Sequence, residues 1–156
     1  MTPPGGPGGG GAGFTLVELV VALAVAAVML GVLPAALGRM YDAMEYRSTV
    51  RNMLADLKAA RLEAVRSGQA AVFTVDLEGH RFGVGAEPAE KIPEKLKVRA
   101  IVADTEIAAG ERAGIRFYPD GSATGGSIEL ERPSGDGLRL RVDWLLGRVS
   151  QEPLGG

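Results

Sequence analysis

A run of residues without a charged side chain occupies positions 19–38, directly after Glu18. As an α-helix this run would extend about 30 Å, the thickness of the hydrocarbon core of a bilayer. A chain of 156 residues has too little material to bury such a helix completely in a water-soluble core. A secretory signal peptide would have a shorter apolar region with basic residues before it. The run therefore predicts a helix that crosses a membrane once, with Pro34 kinking the helix or loosening one turn.

The membrane segment lies between two stretches of different character. Residues 1–13 contain seven glycines and three prolines, so we interpret them as a leader or flexible tail. Residues 39–67 carry apolar side chains at steps of three and four, which is typical of an amphipathic helix. These side chains are Val50, Met53, Leu54, Leu57, Ala60 and Ala64. With Gly68 as a stop, the pattern predicts one helix over 14–67, transmembrane at 14–37 and amphipathic at 38–67.

The remaining residues, 68–156, have the composition of short strands separated by turns. The predicted strands are 71–77, 80–84, 96–103, 115–118, 127–131 and 138–142, with a loop at 85–94. Alternating side chains in 128–142 favour antiparallel strands with one solvent-exposed face. The predicted fold class is α+β, with a long N-terminal helix packed on a small antiparallel β-sheet head.

Composition excludes several kinds of site. The chain has no cysteine and one histidine, which excludes disulfides, thiol catalysis and any site that needs two imidazoles. The net charge is −2, and residues 68–156 carry eleven Lys or Arg against fourteen Asp or Glu, so a polybasic nucleic-acid binder is not indicated. Asp120 and Gly121 predict a tight turn, and Gly125 and Gly126 permit positive φ. We predict no enzymatic activity, no metal and no cofactor.

Three further features have structural interpretations. His80 lies in a predicted strand and is interpreted as a surface or packing residue. Trp144, Leu145 and Leu146 are expected in the core or in a contact with a partner. Met40, Tyr41, Met44 and Tyr46 follow the membrane segment and are expected to anchor it at the interface, with packing against another subunit as the alternative.

Glu18 is the one ionisable side chain in residues 1–38. A carboxylate at the centre of a bilayer costs about 2.5–3.5 kcal/mol on insertion scales, and less near the end of a membrane helix. Glu18 therefore either marks the edge of the membrane or has a functional partner for its charge. Position alone leaves the two interpretations equally open.

The residues before the apolar run decide between them. Gly13-Phe14-Thr15-Leu16-Val17-Glu18 resembles the processing site of type IV prepilins and type II secretion pseudopilins. The resemblance implies that a membrane peptidase cuts between Gly13 and Phe14 and methylates the new amino group of Phe14. In a helical filament, that ammonium can meet Glu18 of a neighbouring subunit, and each charge offsets the desolvation of the other.

The resemblance extends into the head. Residues 57–68, 117–130, 142–143 and 147–149 are similar to the H-type minor pseudopilins of the type II secretion system and the related FimT-like minor pilins. The resemblance implies a pilin-like fold and a subunit of the pseudopilus that assists protein export across the outer membrane. It implies other pseudopilins, major and minor, the prepilin peptidase and the inner-membrane secretion platform as partners. It also implies a single-pass protein of the inner membrane whose head lies in the periplasm.

Two alternatives belong to other functional classes. A FimT-like minor pilin would assist pilus assembly or DNA uptake, with Arg139, Arg141 and Arg148 as candidate phosphate contacts, although the negative charge of the head weakens attraction to DNA. A single-pass membrane enzyme would need a pocket that gathers titratable groups with perturbed pKa values, and no such cluster is visible in the sequence.

Overall fold

The structure is a computed structural model that describes residues 13–102, 107–108 and 112–155, without the side chains of residues 31–37, 39, 107 and 108. The predicted leader therefore lies outside the described residues except for Gly13. The predicted membrane segment, residues 14–37, is described only in part at the side-chain level. Ala103, the predicted end of one strand, also lies outside the described residues.

Helix α1 (Leu16–Ser67) is a continuous element of 52 residues, about 78 Å long at the usual rise per residue. Its backbone stays helical through Pro34, where the sequence predicts a kink or a loosened turn. The helix ends at the predicted stop. Gly68 takes the left-handed conformation, with φ of +69°, and its N–H donates to the carbonyl oxygen of Ala64 over 3.1 Å.

The chain divides into two compact units, residues 1–41 and residues 42–156. Helix α1 begins in the first unit and ends in the second. Within the residues that the structure describes, none of the helical segments combines the length and the apolarity needed to cross a bilayer. Insertion of residues 14–37 into a membrane stays a prediction.

The second unit is built on two antiparallel sheets. Its described strands are β1 (Ala71–Asp76), β2 (Arg81–Val84), β3 (Glu90–Lys91), β4 (Lys97–Val102), β5 (Ile107–Ala108), β6 (Arg112–Phe117), β7 (Gly126–Glu131), β8 (Gly137–Val142) and β9 (Val149–Leu154). One sheet has the order β3-β2-β1-β6-β5 and the other the order β4-β7-β8-β9. The α+β class with an antiparallel head is confirmed.

Strand β4 shows why the predicted alternation matters. Its odd-numbered residues are exposed and its even-numbered residues are half-buried, as the pattern predicts. The register of the four-stranded sheet carries this alternation across the strands, because Ile101 lies opposite Ser127 and Ser127 lies opposite Arg141. These residues therefore share the outer face of the sheet, where Ile101 and Arg141 are exposed and the small Ser127 between them is buried.

Several local predictions differ from the structure. The predicted loop at 85–94 contains the two-residue strand β3, and the sequence predicts neither β5 nor β9. His80 does not lie in a strand: it belongs to the turn before β2 and has a positive φ of 48°. A strand of two residues is too short to show an alternating pattern. Pro153 argues against a strand at β9 in the sequence, because within sheets proline is largely confined to edge strands.

One hydrophobic cluster joins helix α1 to both sheets. From the helix it takes Tyr46, Val50, Met53, Leu57, Ala60 and Ala64, which match the predicted stripe except for Tyr46 and Leu54. Leu54 is only half-buried. Fully burying a side chain such as Met53 or Leu57 stabilises the fold by about 1.5–3 kcal/mol. The helix is therefore a structural part of the head and not merely its support.

Tyr46 corrects a prediction about the residues after the membrane segment. It is only 7% exposed and belongs to the core, whereas Met40, Tyr41 and Met44 are exposed. The guanidinium of Arg132 lies 5.0 Å from the centre of the Tyr46 ring, a cation–π contact. Burial raises the pKa of the Tyr46 hydroxyl, while the charge of Arg132 acts against that rise.

Candidate processing and assembly site

Thr15 fixes the start of helix α1. Its carbonyl oxygen accepts the N–H of Leu19 over 3.2 Å, and its Oγ1 accepts the N–H of Glu18 over 3.3 Å. A threonine that satisfies an otherwise free N–H in the first turn is an N-cap. Sequence reasoning missed this role, although the spacing Thr-x-x-Glu before an apolar run is the readable signature of a capping box.

Glu18 lies in the first turn of helix α1 and is exposed. A negative charge at a helix N-terminus is stabilised by about 0.3–1 kcal/mol through the helix dipole. That gain is smaller than the cost of about 2.5–3.5 kcal/mol for a carboxylate in the centre of a bilayer. In an apolar environment, the helix dipole alone would therefore leave part of the cost of Glu18 uncompensated.

Gly13 and Phe14 precede the helix, and both are exposed. A Cβ built on Gly13 meets no atom of the described residues within 4 Å, and Gly13 is not one of the glycines with positive φ. Neither steric space nor backbone conformation in the described structure therefore requires glycine at this position. Phe14 is 83% exposed, so its ring makes little contribution to the packing of the described chain.

The first part of helix α1 is apolar on all sides and uncovered within the described chain. Its large apolar side chains between Leu16 and Leu30 are each more than half exposed, from 52% to 80%. They are Leu16, Val17, Leu19, Val20, Val21, Leu23, Val25, Val28, Met29 and Leu30. A helix that is hydrophobic all round is normally buried in protein or in lipid. This surface therefore requires an apolar environment that the described chain does not supply.

Of the three candidate phosphate contacts, Arg139 is held by a carboxylate, whereas Arg141 and Arg148 are exposed. Arg139 donates from Nε and Nη2 to Oε1 of Glu129, over 3.0 and 2.7 Å. Glu152 lies 3.9 Å from Arg139 and 4.0 Å from Arg141. The three arginines proposed for DNA contact are thus not a free basic cluster, because Arg139 is paired across the sheet.

A buried carboxylate, Asp76, has a structural role in the head. Asp76 accepts the N–H of Gly79 over 2.6 Å and the Nε–H of Arg112 over 3.1 Å. These contacts, the first more than the second, hold the pKa of the Asp76 carboxyl below its ordinary value. The carboxylate fastens the turn that joins β1 to β2. Among the described residues, no group of three or more acidic or histidine side chains could hold a metal ion.

Comparisons with known proteins agree with this architecture. The family model of the prokaryotic N-terminal methylation motif matches residues 11–34, and the model described as type II transport protein GspH matches residues 49–146. Type II secretion system protein H of Xanthomonas campestris pv. campestris is 30% identical over 144 residues, which cover 91% of this chain and 83% of that protein.

A solved structure, that of EpsH, shows the same fold. The minor pseudopilin EpsH from the type 2 secretion system of Vibrio cholerae matches with a TM-score of 0.51 at 13% identity, covering 70% of this chain and 96% of that chain. The type IV minor pilin FimU of Pseudomonas aeruginosa has a TM-score of 0.48 at 18% identity, covering 69% of this chain and 92% of that chain.

A long N-terminal helix, an antiparallel head and a methylation motif before the helix together define a pilin-like protein. Within that class, the chain belongs to the GspH family of type II secretion pseudopilins. The family assignment and the pilin-like fold predicted from the sequence are confirmed. GspH-type pseudopilins are structural subunits, in keeping with the prediction of a structural rather than catalytic role.

Proposed function

We propose that the chain is a minor pseudopilin of the type II secretion pseudopilus, anchored in the inner membrane by residues 14–37 with its head in the periplasm. The uncovered apolar surface from Leu16 to Leu30 carries this proposal. Before assembly, lipid would cover that surface. In the filament, the apolar helices of neighbouring pseudopilins would replace the lipid.

Maturation by prepilin peptidase, with cleavage after Gly13 and methylation of Phe14, is the second part of the proposal. Two observations support it: Gly13 has no steric or conformational role in the described structure, and Phe14 is exposed outside the helix. An unhindered, extended backbone suits entry into a protease. The inner-membrane secretion platform would then receive the mature subunit.

Glu18 has the assembly role in this proposal. Cleavage leaves an ammonium on Phe14, next to the positive end of the helix dipole, where a cation is unfavourable. A carboxylate from a neighbouring subunit offsets that charge, and the ammonium in turn offsets the burial of Glu18. The pair would set the axial register of adjacent helices, because only one position brings the two charges together.

The mature mass and the N-terminal residue test the maturation step. With the peptidase present, we expect a chain that begins at Phe14 and carries one added methyl group. Without the peptidase, we expect the chain to keep its leader. A chain that keeps residues 1–13 in the presence of an active peptidase would contradict this part.

Glu18→Ala tests the assembly role. We expect the variant to fold and insert normally but to be lost from isolated pseudopili. Glu63→Ala, at an exposed glutamate near the other end of the same helix, is the matched control and should be incorporated normally. Equal incorporation of both variants would refute the charge pairing.

The FimT-like alternative has weaker support. Arg139 is paired with Glu129, and the head carries more acidic than basic side chains. Both features reduce attraction to DNA.

A further inference from the structure

A groove of about 500 Å³ lies on the solvent face of the four-stranded sheet. Ile101 forms one apolar wall and Trp144 the other, and these side chains are 60% and 65% exposed. Between them, Ser127 and Arg141 follow Ile101 across neighbouring strands. The groove is thus made by residues that are distant in the sequence and adjacent in register.

Two glycines keep the groove open. Gly125 and Gly126 line it with φ values of +77° and +141°. A Cβ at Gly125 would lie 3.1 Å from Cβ of Trp144, and a Cβ at Gly126 would lie 2.8 Å from the carbonyl oxygen of Ile101. A side chain at Gly126 would collide with the backbone of Ile101, and one at Gly125 would press tightly against Trp144 in a backbone conformation that favours glycine. The glycine pair therefore has a packing reason beyond the turn predicted from the sequence.

Trp144 is exposed but firmly held. Asp143 Oδ1 accepts the N–H groups of Leu145 and Leu146 over 3.0 and 2.7 Å, which fixes the turn after β8. The carbonyl oxygen of Trp144 accepts the N–H of Ala123 over 2.9 Å. An exposed tryptophan on a rigid turn can bind a partner without first losing backbone freedom. Tryptophan and arginine are also the residues most enriched where binding energy concentrates.

Arg141 supplies a positive charge to the groove. Its side chain is 66% exposed, and its contact with Glu152 is long, at 4.0 Å. Arg139 also lines the groove, but it uses two N–H groups on Glu129. Asp143 has one oxygen occupied by backbone N–H groups. The cation best placed to meet a ligand is therefore Arg141, beside two apolar walls.

We propose that this groove binds an extended protein segment in which a carboxylate pairs with Arg141 and an adjacent aliphatic or aromatic side chain packs between Ile101 and Trp144. A guanidinium binds a carboxylate through two parallel hydrogen bonds, which gives the contact direction as well as attraction. A nucleic acid fits less well, because it carries a phosphate at every nucleotide and would meet Glu129, Asp143 and Glu152 along the same surface, whereas the proposed segment needs one carboxylate, at Arg141.

The chain contains a single tryptophan, so fluorescence reports on the groove alone. The experiment uses the full chain in detergent micelles. The probe is a short blocked peptide in which glutamate alternates with leucine and phenylalanine. We expect it to shift the emission of Trp144 to shorter wavelength and to lower its quenching by acrylamide about twofold. Peptides with lysine or glutamine in place of glutamate should have little effect.

Two arginine variants separate the groove from general charge effects. Arg141→Gln should weaken binding of the acidic peptide about tenfold, in the range expected for a central interface residue. Arg81→Gln removes the same charge from an exposed position on the other sheet and should bind as the unaltered chain does. Partition of the peptide into micelles is common to both variants and cancels.

The proposal would be overturned if the acidic peptide did not protect Trp144, if the lysine peptide protected it equally, or if the two arginine variants bound equally well. Protection by a single-stranded oligonucleotide in place of the peptide would also overturn it and would identify a nucleic-acid site. Ile101→Gln tests the apolar wall separately. It leaves Arg141 in place and should also weaken binding of the acidic peptide.

Discussion

Position 80 carries a histidine in a backbone conformation that favours glycine. The φ of His80 is +48°, and its Nδ1 is buried without a hydrogen-bond partner among the described residues. A left-handed conformation strains a residue that has a Cβ, and glycine adopts it freely. The turn between β1 and β2 therefore stores a small amount of strain at this residue.

We expect His80→Gly to increase the free energy of unfolding by up to about 1 kcal/mol, because removal of the left-handed strain outweighs the added freedom of the unfolded chain. Urea unfolding followed by Trp144 fluorescence measures the change. Glu78→Gly in the same turn is the control, because among the described non-glycine residues only His80 has a positive φ, so glycine at position 78 relieves no such strain. The Glu78→Gly control should lower the free energy of unfolding. If His80→Gly lowers it too, packing of the imidazole ring outweighs the backbone strain.

The lowered pKa of the Asp76 carboxyl makes the free energy of unfolding depend on pH. That pKa is lowered in the folded chain, chiefly by the N–H of Gly79 and further by Arg112. The stabilisation is therefore complete above the unfolded pKa, about 3.9, and is lost as the pH falls through the folded pKa. We expect Asp76→Asn to unfold more easily at neutral pH and to lose much less stability on acidification, as measured by urea unfolding.

Arg112→Gln distinguishes the two causes of the shift. It removes the guanidinium but keeps the N–H of Gly79, which is the largest single cause. We expect this variant to retain part of the acid sensitivity. If Arg112→Gln abolishes it as fully as Asp76→Asn does, the ion pair and not the turn controls the titration.

At the scale of the elements, Arg61 joins helix α1 to two turns of the head. Its Nε donates to the carbonyl oxygen of Gly121 over 3.1 Å. A Cβ at Gly147 would lie 3.0 Å from the same Nε and would also collide with the carbonyl oxygen of Gly121. One side chain on the helix thus binds the turn after β6 and lies beside the turn after β8.

Gly147→Ala tests this junction. Gly147 has a φ of +58°, so alanine there adds backbone strain to the collision with Gly121. We expect a loss of more than about 1 kcal/mol in the free energy of unfolding. Gly68→Ala is the matched control, because its φ of +69° is similar and its Cβ would meet open space. Equal losses in the two variants would show that the junction adds nothing.

Local patterns predicted the elements that depend on neighbours in the sequence. The helical stripe from Val50 to Ala64 and the stop at Gly68 are readable from spacing and from glycine. The turn at Asp120 and Gly121 is readable as well, and Asp120 stabilises it by accepting the N–H and hydroxyl of Ser122. These features need no tertiary contact to be specified.

Local patterns do not decide burial that depends on tertiary contacts. Tyr46, predicted at the membrane interface, is buried in the core, with Arg132 from the β7–β8 turn against its ring. Trp144, predicted in the core or in a partner contact, is exposed, which excludes the core and leaves the partner contact as a prediction. The candidate site shows the same division: Gly13, Phe14 and Glu18 form a contiguous motif, whereas the groove exists only through register across three strands.

At the scale of the whole molecule, the head has its own core. The described buried side chains begin at Tyr46, within the unit formed by residues 42–156. We expect a chain that starts at residue 42 to unfold cooperatively and to keep the near-UV circular dichroism of the full chain.

A chain that starts at residue 58 is the control, because it lacks Tyr46, Val50, Met53 and Leu57. Each of these side chains contributes about 1.5–3 kcal/mol through burial, so their loss exceeds the margin of a small domain. We expect this shorter chain to be unfolded. A folded chain from residue 58 would show that the helix is dispensable to the core.

The position of Tyr46 at the edge of the core also bears on how a subunit travels. None of the described residues before Tyr46 is among the buried side chains. If lipid covers the leading stretch, as proposed, extraction of that stretch would therefore change its solvation without removing any of the buried side chains described for the head.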